Sequence, residues 1–375
     1  MIAKRLGIFD FRNVESQVID FCDGVNVLVG NNAEGKTNAL EAICIFAQGK
    51  SFRAKSEREL IRFGQSMGGI KLCMQSDLKQ YEDMLEVEYR YDEKKSAVKR
   101  RTSHNGVNHK KIGELLGVFR AVLFCPEHLM IVKGGPGERR AFMDVALSQL
   151  RPVYLAALQR YHAILAERNK LIKDAKDDRR TFDATGELWA YHLATESATV
   201  THMRAKYIKQ LGELTRENFA KMTSGREVPN LVYRPSAGTE AADMTTDELF
   251  DRYFKLYTEN ADREIAVGST LWGAHKDDVM IYLDERDAKL YASQGQDRSI
   301  ALAMKLSEGD ISRQVTGESP VYLFDDVLSE LDEGRRDFLL DNFTDRQIII
   351  PSCETRYFSG RDAKMIRVEG GRYYG

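Results

Sequence analysis

Two short motifs at opposite ends of the chain constrain the fold more than anything else in it. Gly30-Asn31-Asn32-Ala33-Glu34-Gly35-Lys36-Thr37 fits G-x-x-x-x-G-K-[ST]. Val25-Asn26-Val27-Leu28-Val29 before it reads as an apolar strand. Asn38 to Ala47 after it reads as a helix, with Leu40, Ile43 and Phe46 at helical spacing. Strand, glycine loop and helix in that order are what a phosphate-binding loop needs, because the amides at a helix start lack intrahelical partners and point at an anion. Near the other end, Val321-Tyr322-Leu323-Phe324 is a continuous apolar strand running into Asp325-Asp326. A loop that holds phosphate and a strand ending in two carboxylates make one site only if the ends of the chain fold together. Whatever lies between them is then an insertion.

The residue types suggest a division of labour. Lys36 can reach terminal phosphates, and Thr37 can place its hydroxyl on Mg2+. The loop from Gly30 to Gly35, with Asn38 just inside the helix, completes a cradle for ATP. Asp325 is the expected magnesium-linked carboxylate, and Asp326 is placed to orient or deprotonate an attacking water. Between the motifs, Ser293-Gln294-Gly295-Gln296 opens a helix marked by Ala301, Leu302, Met304, Lys305 and Leu306. Polar groups and a glycine at a helix start make a second anion trap. One polypeptide cannot easily aim two helix starts at one triphosphate from opposite sides, but a symmetric dimer can, with two composite sites. Standing alone the tetrapeptide is an ordinary helix cap. Its place ahead of the strand at 321 favours a role in the site. Ser329-Glu330-Leu331-Asp332 either bridges the same interface or caps the next helix.

A single core usually stops growing before ~300 residues, so a chain of 375 calls for two lobes. The ends have α/β character: residues 1–11, 69–91, 279–283 and 346–350 alternate or run apolar as strands do. From Pro152 to about Lys176, and again from Glu187 to about Lys221, the pattern is helical, and the polar stretch from Asp177 to Gly186 reads as a turn. Two antiparallel helices forming an arm are expected. Residues 223–246 read as irregular connection, and helix resumes from about Asp247 to Val267. Lys94, Lys95, Lys99, Arg100, Arg101, Lys110 and Lys111 surround a turn at Asn105-Gly106, as in a basic hairpin. Formal net charge is only -2, so the whole surface does not advertise nucleic-acid binding, although a local patch of this kind can bind phosphate. Five cysteines without close pairing argue for a reducing compartment and against a zinc cluster. No apolar run reaches ~18 residues, so no membrane span is expected, and the N-terminus begins a strand rather than a secretory pattern.

A second set of residues resembles the RecF family, ATPases related to the heads of ABC and SMC proteins. The resemblance spans nearly the full length. It is densest in Phe124-Cys125-Pro126-Glu127-His128-Leu129, Lys133-Gly134, Gly137-Glu138-Arg139-Arg140, Phe142-Met143-Asp144 and Leu147-Ser148-Gln149-Leu150. It continues through Tyr154, Tyr161, Arg168 and Asn169. Phe11-Arg12-Asn13, Gly49 to Arg53, Gly273 to Asp278 and Asp325 to Asp332 add to it. The chain departs from the family pattern at His128, Ala274 and Lys276. It also departs at Pro351-Ser352-Cys353, where ABC ATPases place a sensor of the terminal phosphate.

The resemblance implies an α/β fold, an ABC-type P-loop ATPase head with an inserted helical arm. The head would comprise 1–120 and 269–375, and the insertion 121–268. It implies that Ser293, Gln294, Gly295 and Gln296 contact ATP held by the other subunit of an ATP-dependent homodimer, and that Gln48 is a sensor near Mg2+. Arg12, Lys50 and Arg53 would meet nucleotide or DNA phosphate, with a solvated surface role equally open to each. It implies a weak DNA-dependent ATPase, cytoplasmic and nucleoid-associated, that recognises double-stranded and gapped DNA and cooperates with RecR and RecO in loading RecA. A clamp that binds ATP with little or no hydrolysis is the alternative. Arg139, Arg140, Arg160, Arg168 and Lys170, with the basic hairpin, are candidates to line a duplex, or else are solvated charges. His128 and His275 fit structural positions better than catalytic ones.

Overall fold

Helix Lys36–Gln48 explains the architecture of the first half of the site. Ala39, Leu40, Ala42, Ile43, Cys44, Ile45, Phe46 and Ala47 are all fully buried, so the helix is apolar on every side. Such a helix needs cover all round. A computed structural model supplies the cover and describes all residues except 224, 226 and 342–345. Two six-stranded sheets share one hydrophobic core with the helix.

One sheet is wholly antiparallel, in the order Val14–Asp20, Ile2–Phe11, Met67–Gln75, Glu82–Asp92, Ala97–His104, Val107–His109. The other runs Arg372–Tyr374, Ala363–Glu369, Val25–Val29, Ile348–Ser352, Val321–Phe324, Ala121–Phe124, and every pair but the first is parallel. Val321 to Phe324 and Ile348 to Ile350 are buried on both faces, as a parallel sheet requires. That removes any alternation from their sequences and leaves the unbroken apolar runs. The glycine loop follows Val29, Asp325 follows Phe324, and Ser352-Cys353 ends the strand between them. All three therefore lie at the carboxyl edge of one parallel sheet, where ligands of open α/β sheets bind.

The chain divides into two compact units, Met1–His128 with Lys305–Gly375, and Leu129–Met304. The sequence placed the breaks at 120/121 and 268/269. The second one moves because Asp278–Leu283 pairs antiparallel with Pro229–Arg234, tying residues 269–304 to the inserted unit. Pro229–Arg234 lies in the stretch read as irregular. Only Leu231 and Tyr233 mark it, both buried on one face. The arm helices are Pro152–Asp174 and Arg180–Thr223, the latter 44 residues and therefore about 66 Å long. It begins earlier than Glu187, and Gly186, taken for a turn residue, is helical and lies against the Phe182 ring.

The inserted unit is built around buried polar groups. The Arg204 guanidinium donates to Asp144 at 2.7 Å and to the Ala274 carbonyl at 2.6 Å. Asp277 accepts from the Tyr233 hydroxyl at 2.5 Å and from the Ser236 amide at 2.8 Å. Arg168 donates to Glu264 at 2.6 Å and to the Thr270 hydroxyl at 2.8 Å, while Asn169 accepts from the Thr270 amide at 2.8 Å. Residues that carried much of the family resemblance are thus the frame of this unit, paired with one another as buried polar groups usually are, although Arg168 Nε is left without a hydrogen-bond acceptor.

Candidate nucleotide site

The glycines of the loop have separate tasks. A Cβ on Gly30 would come within 2.3 Å of the Val368 carbonyl oxygen, so only glycine passes that strand. Gly35 has φ 104° and caps the helix without any side-chain hydrogen bond, leaving the first helical amides free of side-chain acceptors. Lys36 Nζ donates to the carbonyls of Gly30 at 2.5 Å and Asn31 at 2.8 Å, and lies 3.2 Å from the Cys353 sulfur. Its ammonium is therefore held across the mouth of its own loop.

The two ends of the chain meet where the sequence requires it. Thr37 Oγ1 donates to Asp325 Oδ1 at 2.8 Å across 288 residues of separation. Asp325 is 9% exposed. Burial pushes its carboxyl pKa up, while the Thr37 hydroxyl and the Arg53 charge pull the other way. Asp326 is exposed and adopts φ 52°, uncommon for a residue with a side chain. The Ser329 hydroxyl donates to its carboxylate at 2.9 Å and to its carbonyl at 3.0 Å, fixing that turn.

Loop and carboxylates open onto one cavity of about 820 Å³ within the first unit. Asn31, Asn32, Ala33, Gly35, Lys36, Thr37, Asn38, Asp325 and Asp326 line it, joined by Arg12, Arg53 and the Pro351-Ser352-Cys353 strand end. Arg12 is held there by Glu41, which is fully buried and takes its Nε at 2.8 Å and its Nη2 at 2.5 Å. The Ser51 hydroxyl donates to the same carboxylate. Sequence reasoning named Arg12 and missed Glu41, whose charge inside an apolar helix was the available signal. It also missed Arg58, Glu59, Ile61 and Phe63, which form another part of the wall.

Several expected contributors stand elsewhere. Gln48 is the last residue of its helix, roughly 16 Å along the axis from Thr37 at 1.5 Å per residue, so it cannot act as a sensor at the Thr37–Asp325 pair. Lys50 follows it and does not line the cavity. The Glu34 carboxylate turns away to accept from the Gly370 amide, and Gly30 lies beneath the loop, so neither contributes a lining side chain. Ser293, Gln294, Gly295 and Gln296 belong to the inserted unit. There Ser293 Oγ accepts from the Gln296 amide at 3.3 Å and Gln296 Oε1 accepts from the Ser293 amide at 2.6 Å, a reciprocal cap. Gln296 Nε2 also donates to Glu227 at 2.5 Å. Ser293 and Gln294 are exposed.

Most arginines proposed for a duplex are already engaged. Arg139 makes a two-pronged contact with Asp278 at 2.7 and 3.0 Å, and Arg140 donates to the Asp277 carbonyl at 2.8 Å. Arg160 grips Glu196, and Arg168 is buried against Glu264. Within the hairpin, Arg100 pairs with Glu57 at 2.5 Å, Lys99 with Asp92 at 3.7 Å and Arg101 with Glu88 at 3.8 Å. Lys94, Lys95, Lys110 and Lys111 are exposed and have no ion-pair partner among the described residues. His128 is partly buried, and desolvation, then the nearby Lys305 charge, holds its pKa well below the usual value. His275, pushed down to about 4 by burial, bonds the Tyr161 hydroxyl. Neither histidine lines the cavity. All five cysteines are free, and the described residues contain no cluster of metal-ligating side chains of the zinc type.

A glycine loop and a strand-end carboxylate at one sheet edge, with a large unit inserted between them, define a P-loop α/β head. The family model described as the RecF/RecN/SMC N-terminal domain matches residues 2–370. The chain is 37% identical over 100% of both chains to the DNA replication and repair protein RecF of Acetivibrio thermocellus. It is 36% identical to the Clostridium perfringens protein of that name, over 99% of each. Among solved structures, the recombination mediator protein RecF-ATPrS in the RecFOR pathway superposes with a TM-score of 0.90 at 30% identity, covering 99% of this chain and 97% of that one. The chain belongs to the RecF family of DNA replication and repair proteins. No helix among its described residues is long and apolar enough to cross a membrane.

Proposed function

We propose that this chain binds ATP and Mg2+ in the cavity of its first unit, acting as an ATPase head, and pairs with a second copy when it does. The Thr37–Asp325 contact at 2.8 Å carries the reading, since it brings two hard oxygen donors together beside a phosphate loop. Their chemistry suits Mg2+, which takes a few protein oxygens and fills its remaining positions with phosphate and water. Bound there, the ion would neutralise charge on the terminal phosphates.

The chain's own groups do the rest. Lys36, already at the loop mouth, neutralises phosphate charge, and the amides after Gly35 bind phosphate oxygens. Asp326, held by Ser329, orients the attacking water and accepts its proton. Ser293 and the helix start behind it close the site on the nucleotide of the partner copy, with Gln294, Gly295 and Gln296 supporting it. Nucleotide at a hundredfold excess over Kd adds about 2.7 kcal/mol to any state that alone binds it, enough to drive association. Turnover is slow, and the nucleotide times a clamp on double-stranded DNA near gaps, with DNA stimulating hydrolysis. The partners are RecR and RecO, in the service of RecA loading, in the cytoplasm at the nucleoid. The lysines at 94, 95, 110 and 111 are the hairpin's contact to the duplex backbone.

Sedimentation without nucleotide, with ADP and with a nonhydrolysable ATP analogue, each with and without duplex, tests this. A dimer is expected only with the ATP analogue, strengthened by duplex. Ser293→Arg should bind ATP normally yet stay monomeric. Normal pairing and turnover of that variant would overturn the composite site.

A further inference from the structure

We propose that Phe63 is the stacking platform for the nucleobase. The proposal rests on the cavity being a nucleotide site and adds which surface takes the end of the ligand remote from the phosphates. Phe63 is 98% exposed, the highest value among the large apolar residues described. A phenyl ring left in water gains nothing from folding, and although one exposed apolar side chain is ordinary by itself, this one stands on the wall of the nucleotide cavity. It lines the same cavity as Lys36 and Thr37 and is the sole aromatic among the lining residues.

The ring does not sit on a loose loop tip. The Arg62 amide donates to the Asp10 carbonyl at 2.8 Å, and the Arg12 amide to the Leu60 carbonyl at 2.9 Å. Ile61, only 3% exposed, bridges to Phe11 and anchors the segment in the core. Arg62 Nε reaches the Asp10 carboxylate at 2.6 Å. Gly64, at φ 82°, turns the chain immediately beyond, and the Gln65 amide closes the turn on the Arg62 carbonyl at 3.0 Å. The ring is therefore presented on a backbone fixed at both sides, as a recognition surface should be. The one neighbouring cation on that wall able to stack, Arg58, already lies over the Tyr91 ring at 4.6 Å. The phosphate end of the cavity is set by the glycine loop, which leaves the apolar face of Phe63 for the purine. Every base has a π-face, so the contact adds affinity without choosing between adenine and guanine.

Calorimetric titration of the full-length protein with ATP, GTP and inorganic tripolyphosphate tests this in wild type, Phe63→Ala, Phe63→Tyr and Lys36→Ala. Phe63→Ala should weaken ATP and GTP alike by roughly tenfold or more and leave tripolyphosphate unchanged. Phe63→Tyr should bind as wild type. Unaltered ATP binding by Phe63→Ala, with Lys36→Ala inactive in binding, would refute the stacking role and leave the nucleotide site standing. Loss of tripolyphosphate together with ATP in Phe63→Ala would refute it too, by showing an effect on the loop. Normal binding of ATP and tripolyphosphate by Lys36→Ala would overturn the nucleotide site itself, and the inference with it.

Discussion

Replacing Arg168 by alanine separates a structural arginine from a DNA-binding one. Its side chain is 1% exposed and faces Glu264, whose side chain is 0% exposed. The guanidinium also reaches the Thr270 hydroxyl at 2.8 Å and lies 4.8 Å from the centre of the Tyr257 ring. Glu264 in turn accepts the Leu271 amide at 2.8 Å. Removing one partner of a buried pair leaves a charge without compensation, at a cost of about 3–5 kcal/mol. For a unit the size of Leu129–Met304, each kcal/mol moves Tm by about 2–4 °C, so a drop of roughly 10 °C is expected in scanning calorimetry. Arg168→Met combined with Glu264→Leu should recover much of it, because no charge is then stranded. Duplex binding by the folded Arg168→Ala protein should keep its salt dependence. An unchanged Tm, with the slope of log K against log salt reduced by about one, would refute the structural assignment and return Arg168 to the DNA.

Two further perturbations probe the first unit. Burial raises the Asp325 carboxyl above its ordinary value of 3.8, so the native state holds that proton more tightly than the unfolded chain does. Stability is therefore lost as pH climbs from about 3.8 through the native value, and is regained as pH falls back below 3.8. Asp325→Asn, which keeps an oxygen for Thr37, should raise the nucleotide-free Tm by a few degrees at pH 7, lose that advantage below pH 3.8, and weaken magnesium-dependent ATP binding; a lower Tm at pH 7 would count against the burial argument. Changing Lys94, Lys95, Lys110 and Lys111 to glutamine should weaken duplex binding uniformly across sequences and flatten its salt dependence, whereas the same change at Lys99, Arg100 and Arg101 should act mainly on stability. Equal DNA effects from both sets in anisotropy titrations would show that ion pairing within the sheet does not decide which cations meet phosphate.

What could be read from the chain alone follows from the range of the forces involved. Strand, loop and helix around Lys36 are local and were legible. So were Val321 to Phe324, buried on both faces, and both arm helices, whose apolar spacing persists over many turns. The strand Pro229–Arg234 was not, because its inward residues Leu231 and Tyr233 are separated by apolar Val232 and flanked by prolines, which blurs the alternation, and its pairing partner is Asp278–Leu283. Arginine roles were least legible: Arg139 is neutralised by Asp278, 139 residues away, and Arg168 by Glu264, 96 away. A cation's sequence neighbours say nothing of such partners. Gln48 failed for a simpler reason, helix length, and Phe63 went unseen because a single aromatic among polar residues resembles many others. The inserted unit's late boundary at Met304 likewise depends on sheet pairing that no local pattern announces.

The grip of Lys36 on the carbonyls of Gly30 and Asn31 has a kinetic corollary. Those bonds set the loop's shape from within, and a triphosphate bound as proposed would exchange one set of oxygens for another around the same ammonium. On that reading, capture needs no folding step in the loop.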